Sequence, residues 1–111
     1  MALATDVMLD EITRVIVNLI DPEQVILFGS YASGAARDDS DIDLLIVDGG
    51  TFDERRSRRA VKGRIWRELA RFPVPKDILL YTPEEIAMWR ESRNHVIAHA
   101  LREGRIVYDR H

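Results

Sequence analysis

Two aspartates stand at the head of an apolar run, Ser40-Asp41-Ile42-Asp43-Leu44-Leu45-Ile46-Val47. The run is strand-length and rich in branched residues, so it asks for burial while its first positions carry charge. Side chains at i and i+2 of a strand leave the same face, with Cα atoms about 6.5–7 Å apart. Two carboxylates so placed repel each other and resist burial unless a cation stands between or beside them. Oxygen-only ligands at short spacing suit Mg²⁺, which takes one or two carboxylates and completes its shell with water and substrate phosphates. Upstream, a second apolar run, Val25-Ile26-Leu27-Phe28, closes on Gly29-Ser30, ten residues before Asp41. A glycine without a Cβ, a hydroxyl and free N–H groups at a helix start form a phosphate cradle. A carboxylate pair beside such a cradle points to nucleotide chemistry.

The elements around this block alternate. Helical spacing runs from about Leu3 to Ile20 through Leu9, Ile12, Val15, Ile16, Leu19 and Ile20, and Asp21-Pro22 ends it. Gln24 to Phe28 reads as a buried strand, Ser30 to Ala36 as a short helix loosened by Gly34, and Asp41 to Val47 as a second buried strand. Phe52 to about Arg71 reads as a helix with Val61, Ile65, Leu69 and Phe72 in its stripe. Val74 to Tyr81 gives a third strand, with Asp77 set in an apolar stretch. Thr82-Pro83-Glu84-Glu85 supplies an N-cap, a first-turn proline and a capping-box acid. Helix continues, with a possible break, to Glu103, where Gly104 caps it, and Arg105 to Tyr108 offers a fourth strand. The predicted class is α/β or α+β: a small mixed sheet of about four strands flanked by helices.

At 111 residues the chain is expected to be a single domain, 1–111, too small for a catalytic domain plus a separate substrate domain. With no cysteine, disulfides, thiolate zinc sites and cysteine nucleophiles are excluded. A net charge of −3 argues against bulk attraction to nucleic acid or anionic membrane. Neither a leader pattern nor a membrane-length apolar segment is evident, so a cytoplasmic location is expected.

Phe28-Gly29-Ser30, ten residues, then Asp41-Ile42-Asp43-Leu44 resembles the signature of the DNA polymerase beta-like nucleotidyltransferase superfamily. In so short a chain it looks like the minimal nucleotidyltransferase (MNT) group, the MntA-type antitoxins paired with HEPN-domain toxins. The likeness covers essentially the whole chain, from the first helix to Arg102-Glu103-Gly104-Arg105-Ile106-Val107-Tyr108. It implies that Gly29, Ser30 and Ser40 bind nucleotide, that Asp41 and Asp43 bind Mg²⁺ (two ions), and that Asp77 is a third carboxylate, metal ligand or base. It also implies ATP as substrate, a HEPN toxin as partner, AMP transfer to a protein hydroxyl, a tyrosine by analogy, and assembly as a homo- or hetero-oligomer. One departure is Ser33, where relatives often carry an arginine; that contact is absent or moved to Arg37. On this reading Asp77 should be partly desolvated beside two carboxylates, with its proton affinity raised.

Plainer readings compete at several positions. Asp41 and Asp43 could be a strand-start acid and a turn acid, Gly29 a simple turn glycine, and Asp77 an acid paired with Lys76 or a helix arginine. The arginines of 55–71 surround most of their helix, as on a solvated face, with a docking surface as the sharper alternative. Trp66 reads as core margin, Met88 and Trp89 as core. His95 and His99 stand four apart on one predicted helix face, yet no acid and no third ligand accompanies them, so they are not read as a zinc site. Three functions follow: an adenylyl-transferring antitoxin, an antitoxin that neutralises by occlusion, or a transferase acting on a small molecule with a borrowed subunit.

Overall fold

The computed structural model describes residues 6–110; the start of the first predicted helix, at Leu3, lies outside the described residues. The elements are α1 (Asp6–Ile20), β1 (Gln24–Phe28), α2 (Ser30–Ser33), β2 (Ile42–Val47), α3 (Arg58–Leu69), β3 (Lys76–Tyr81), α4 (Pro83–Trp89), α5 (Val96–Glu103) and β4 (Arg105–Asp109). The strands lie in the order β3-β2-β1-β4, with β2 and β3 parallel and the other two pairs antiparallel. The mixed sheet predicted from the sequence is present.

Strand periodicity sorts each run onto two layers. Val25 and Leu27, Ile42, Leu44 and Ile46, and Ile78 and Leu80 face α1 and α3, meeting Ile12, Ile16, Val61, Ile65 and Leu69. Ile26, Leu45 and Val47 face the other way, toward Ile86, Ile97 and Ala100 of α4 and α5. Both layers being covered explains why β2 reads as an unbroken apolar run rather than an alternating one.

Several boundaries differ from expectation for local reasons. Residues 52–57 are not helical: the Asp53 carboxylate accepts from the N–H groups of Arg55 and Arg56 in an Asx-type turn. Ser57 then caps α3 by accepting from Ala60 N at 3.0 Å. The capping box at Thr82 and Glu85 is formed in both directions. Between α4 and α5 the helix breaks at 90–95, and His95 caps α5 with its ring, Nδ1 accepting from Ile97 N at 3.1 Å. His95 therefore stands outside the helix and stacks on Trp89 at 4.3 Å between ring centroids, so it shares no helix face with His99. Met88 and Trp89, expected in the core, are 67% and 38% exposed; a seven-residue α4 buries a single residue, Ile86, and leaves these two outside.

Candidate active site

Register brings the site together. Phe28 on β1 is aligned with Asp43 on β2, and Asp43 with Asp77 on β3. Asp43 shares the strand face of Leu45, and Asp77 that of Leu79, so two carboxylates from neighbouring parallel strands leave one side of the sheet together. Asp41 stands two residues earlier, just before β2 begins. The sequence thus marks the residues, and the β2–β3 pairing, invisible in the sequence, places Asp77 against Asp43.

Gly29 holds the other wall. Its φ is +74° with ψ −153°, a region that residues with a Cβ avoid. A Cβ placed there would also overlap Oδ2 of Asp43 and stand 3.2 Å from its Cγ. Two independent constraints therefore demand glycine, and they bind the turn to the carboxylate it faces. Ser30 opens α2, whose N-terminus has no side-chain cap, and the Gly29 carbonyl accepts from Ala32 and Ser33 N. Ser40 sits in the turn before Asp41; its Oγ accepts from Arg37 N at 2.8 Å, so part of its hydrogen-bonding capacity is spent locally. Arg37 itself is exposed.

The electrostatics single out Asp43. Burial, then the Asp77 and Asp41 carboxylates, push its carboxyl up from the ordinary 3.8 to about 6. None of the three acids is ion-paired among the described residues. Lys76, a candidate partner for Asp77, instead donates from Nζ to the carbonyls of Phe72 and Val74, both at 2.8 Å, and burial lowers its pKa. Asp77 is exposed, contrary to the expected desolvation, because it leaves the first turn of an outer strand. The burdened group is Asp43, on the inner strand between the other walls.

The donor set fits a hard divalent cation: oxygens only, several negative charges, no neutralising side chain. Among the described residues no three acidic or histidine side chains already close on one point, as expected of like charges spreading apart.

At the opposite end of β2 the sequence reading missed a second acid. Asp48 is 3% exposed and paired with Arg56 at 2.5 Å, and accepts from Gly50 N at 2.8 Å. A polar residue directly continuing a buried strand was the available signal. Nearby, a cleft of about 340 Å³ lies between Gly49–Phe52 and Thr82–Glu85. Two of its three charged groups pair with each other, Arg58 with Glu85 at 2.6 Å, while Glu84 is exposed to solvent. Burial pushes the Glu85 carboxyl up, but the hydrogen bonds from Arg58 and Thr82 outweigh it and hold it low. Paired charges make this end structural; the open shelf of unpaired carboxylates is the site with chemistry to offer.

Comparison with known proteins bears on the family and the fold. The family model described as polymerase beta, nucleotidyltransferase matches residues 10–111. A Methanocaldococcus jannaschii protein named "Putative protein adenylyltransferase" is 34% identical over 87 residues, 78% of this chain; the chain spans only 58% of that relative's length. The crystal structure of a "putative nucleotidyltransferase" from Sulfolobus solfataricus superposes with a TM-score of 0.60 at 22% identity, covering 92% of this chain and 78% of the other. A toxin–antitoxin crystallised with AMP-PNP superposes at 0.57 with 18% identity, covering 90% and 73%. At such identities the structures speak for the fold. No helix among the described residues is long and apolar enough to cross a membrane.

Proposed function

The chain belongs to the polymerase beta nucleotidyltransferase family, and from that premise we propose that it moves AMP from ATP to a hydroxyl of a partner protein. The partner in this reading is a HEPN toxin and the acceptor a tyrosine, so that the chain acts as antitoxin. The observation that carries it is Asp43, pushed up to about 6 by burial and two neighbouring carboxylates, with no cation paired to it among the described residues. A site that concentrates uncompensated negative charge beside a glycine turn is built to receive positive charge from outside. The name of the M. jannaschii relative and the AMP-PNP complex of the toxin–antitoxin support the nucleotide and the protein acceptor.

Asp41 and Asp43, with Asp77, would hold Mg²⁺, which when bound neutralises charge on the triphosphate. Gly29 and Ser30 offer backbone N–H groups and a hydroxyl to the phosphates, with Ser40 alongside. The acceptor oxygen attacks the α-phosphorus, a new P–O bond forms, and the bond from that phosphorus to the bridging oxygen breaks. Pyrophosphate leaves, and the acceptor proton passes to Asp77. Asp77 is exposed on the outer strand, where a hydroxyl carried on a second protein can approach it.

Incubation with Mg²⁺, ATP labelled at the α-phosphate and the toxin encoded beside it tests this. Label on the toxin, absent with Asp41→Asn/Asp43→Asn, is the expected result. An unlabelled toxin that is still neutralised by that double variant would replace the enzyme with an occluding antitoxin.

A further inference from the structure

Half of the cations of this chain are gathered on α3 and its immediate flanks. Eight of its 16 lysines and arginines lie between Arg55 and Arg71, where Glu68 is the single acid, so 18 of the 19 acids lie elsewhere. Among the described residues only Arg56 and Arg58 of the eight are ion-paired. Arg59, Arg64 and Arg67 are exposed on the outer side of α3, away from the buried Val61, Ile65 and Leu69. They rim a concavity of about 500 Å³ floored by Ala60 and Gly63, which adjoins another of about 450 Å³ through Ser57, Ala60 and Arg64.

Gly63 has no internal reason to be glycine. A mid-helix glycine weakens a helix relative to alanine. Here an added Cβ would meet only the flexible Nη1 of Arg67, at an ordinary 3.7 Å. Its missing side chain leaves space between the arginines that another backbone could enter.

We propose that the outer face of α3 docks an acidic amphipathic helix of another protein, its carboxylates on Arg59, Arg64 and Arg67 and its backbone over Gly63. Planar guanidiniums match carboxylates in bidentate pairs, which suits seven arginines and one lysine. Charge complementarity selects the occupant. The three arginines at the rim span only positions 59–67 of α3, roughly 12 Å, and outside 55–71 the chain carries 18 acids against eight lysines and arginines, so its overall field disfavours an extended nucleic acid. No aromatic ring lines either concavity to stack a base. The carboxylate shelf faces the other side of the sheet, so this surface is separate from the transfer reaction.

The test uses a fluorescein-labelled amphipathic peptide whose polar face is entirely glutamate, titrated with the full chain without nucleotide or magnesium. Its outcome is therefore independent of adenylyl transfer. The wild-type chain should bind, more weakly as salt rises, and Arg59→Glu/Arg64→Glu/Arg67→Glu should lose about 100-fold in affinity. Gly63→Leu should lose about 10-fold with an unchanged or higher Tm, because the floor fills while the helix gains. Single-stranded RNA of matched charge binding more tightly than the peptide would overturn the proposal in favour of a phosphodiester ligand. Equal binding by Gly63→Leu would overturn the close approach. Self-association that the triple reversal abolishes would assign the face to a second copy, and no binding at low salt would return α3 to a solvated surface.

Discussion

The two ends of β2 carry the same chemical group in opposite circumstances. At one end Asp48 is buried, but Arg56 and the Gly50 N–H satisfy both its oxygens. At the other Asp43 is only half-buried, yet it faces Asp77 and Asp41 with no ion pair among the described residues. A protein selected for stability alone would arrange both ends like the first. The contrast is what the proposed reaction requires: a load at the second end that a bound cation would relieve.

The largest break in that comparison is chemical. Asp43→Asn keeps the volume and removes the charge, so transfer to the partner should fall at least ~10³-fold, equivalent to about 4 kcal/mol of lost transition-state stabilisation. The same neutralising change at Asp48 should leave transfer within a few-fold of wild type, since an asparagine oxygen still accepts from Gly50. Initial rates with labelled ATP compare the two. Equal losses would mean that the ends do not differ in role.

Next comes the structural end. Arg56→Met leaves the Asp48 charge buried without its partner, and the chain should lose about 2–3 kcal/mol, at the lower side of what buried pairs cost because Arg56 is 37% exposed. Urea denaturation should show a lower midpoint with an unchanged slope. Adding Asp48→Asn to Arg56→Met should recover much of the loss, because no charge is then stranded. A double variant no better than the single would assign Arg56's contribution to its packing over the Phe52 ring, 5.3 Å away, rather than to the pair.

How much of this could be read in advance follows the same division. Asp41, Asp43, Gly29 and all four strands were legible, because a local signal marks each: a charge in an apolar run, a glycine closing a strand, a branched stretch between turn residues. The capping box at Thr82 was legible for the same reason. What needs the third dimension was not. Asp77 beside Asp43 was reached only through the family resemblance, because no local signal carries the β2–β3 register that pairs them, and the overlap of a Gly29 Cβ with Asp43 depends on the β1–β2 pairing. The Asp48–Arg56 pair joins two loops whose composition alone reads as solvated turn. Met88 and Trp89 show the limit of composition: large apolar residues were assigned to the core, but a short α4 turns them outward.

The smallest effect is the most specific to the loaded end. Folded Asp43 titrates near 6, above its ordinary 3.8, so between those values the folded chain holds a proton that the unfolded chain has released. Its contribution to stability is therefore greatest below the lower value and declines as pH rises through the upper one. Asp43→Asn carries no such term. Its Tm relative to wild type should climb from about pH 4 to about pH 7, with the variant ahead at neutral pH in the presence of a chelator. Magnesium should then narrow that gap by raising the wild-type Tm and leaving the variant's nearly unchanged, since a ligand stabilises the state that binds it. An equivalent series at Asp48 should show no magnesium response, because its charge already has Arg56. A flat difference at Asp43, unmoved by magnesium, would mean that the load is relieved by solvent and that the two ends differ only in burial.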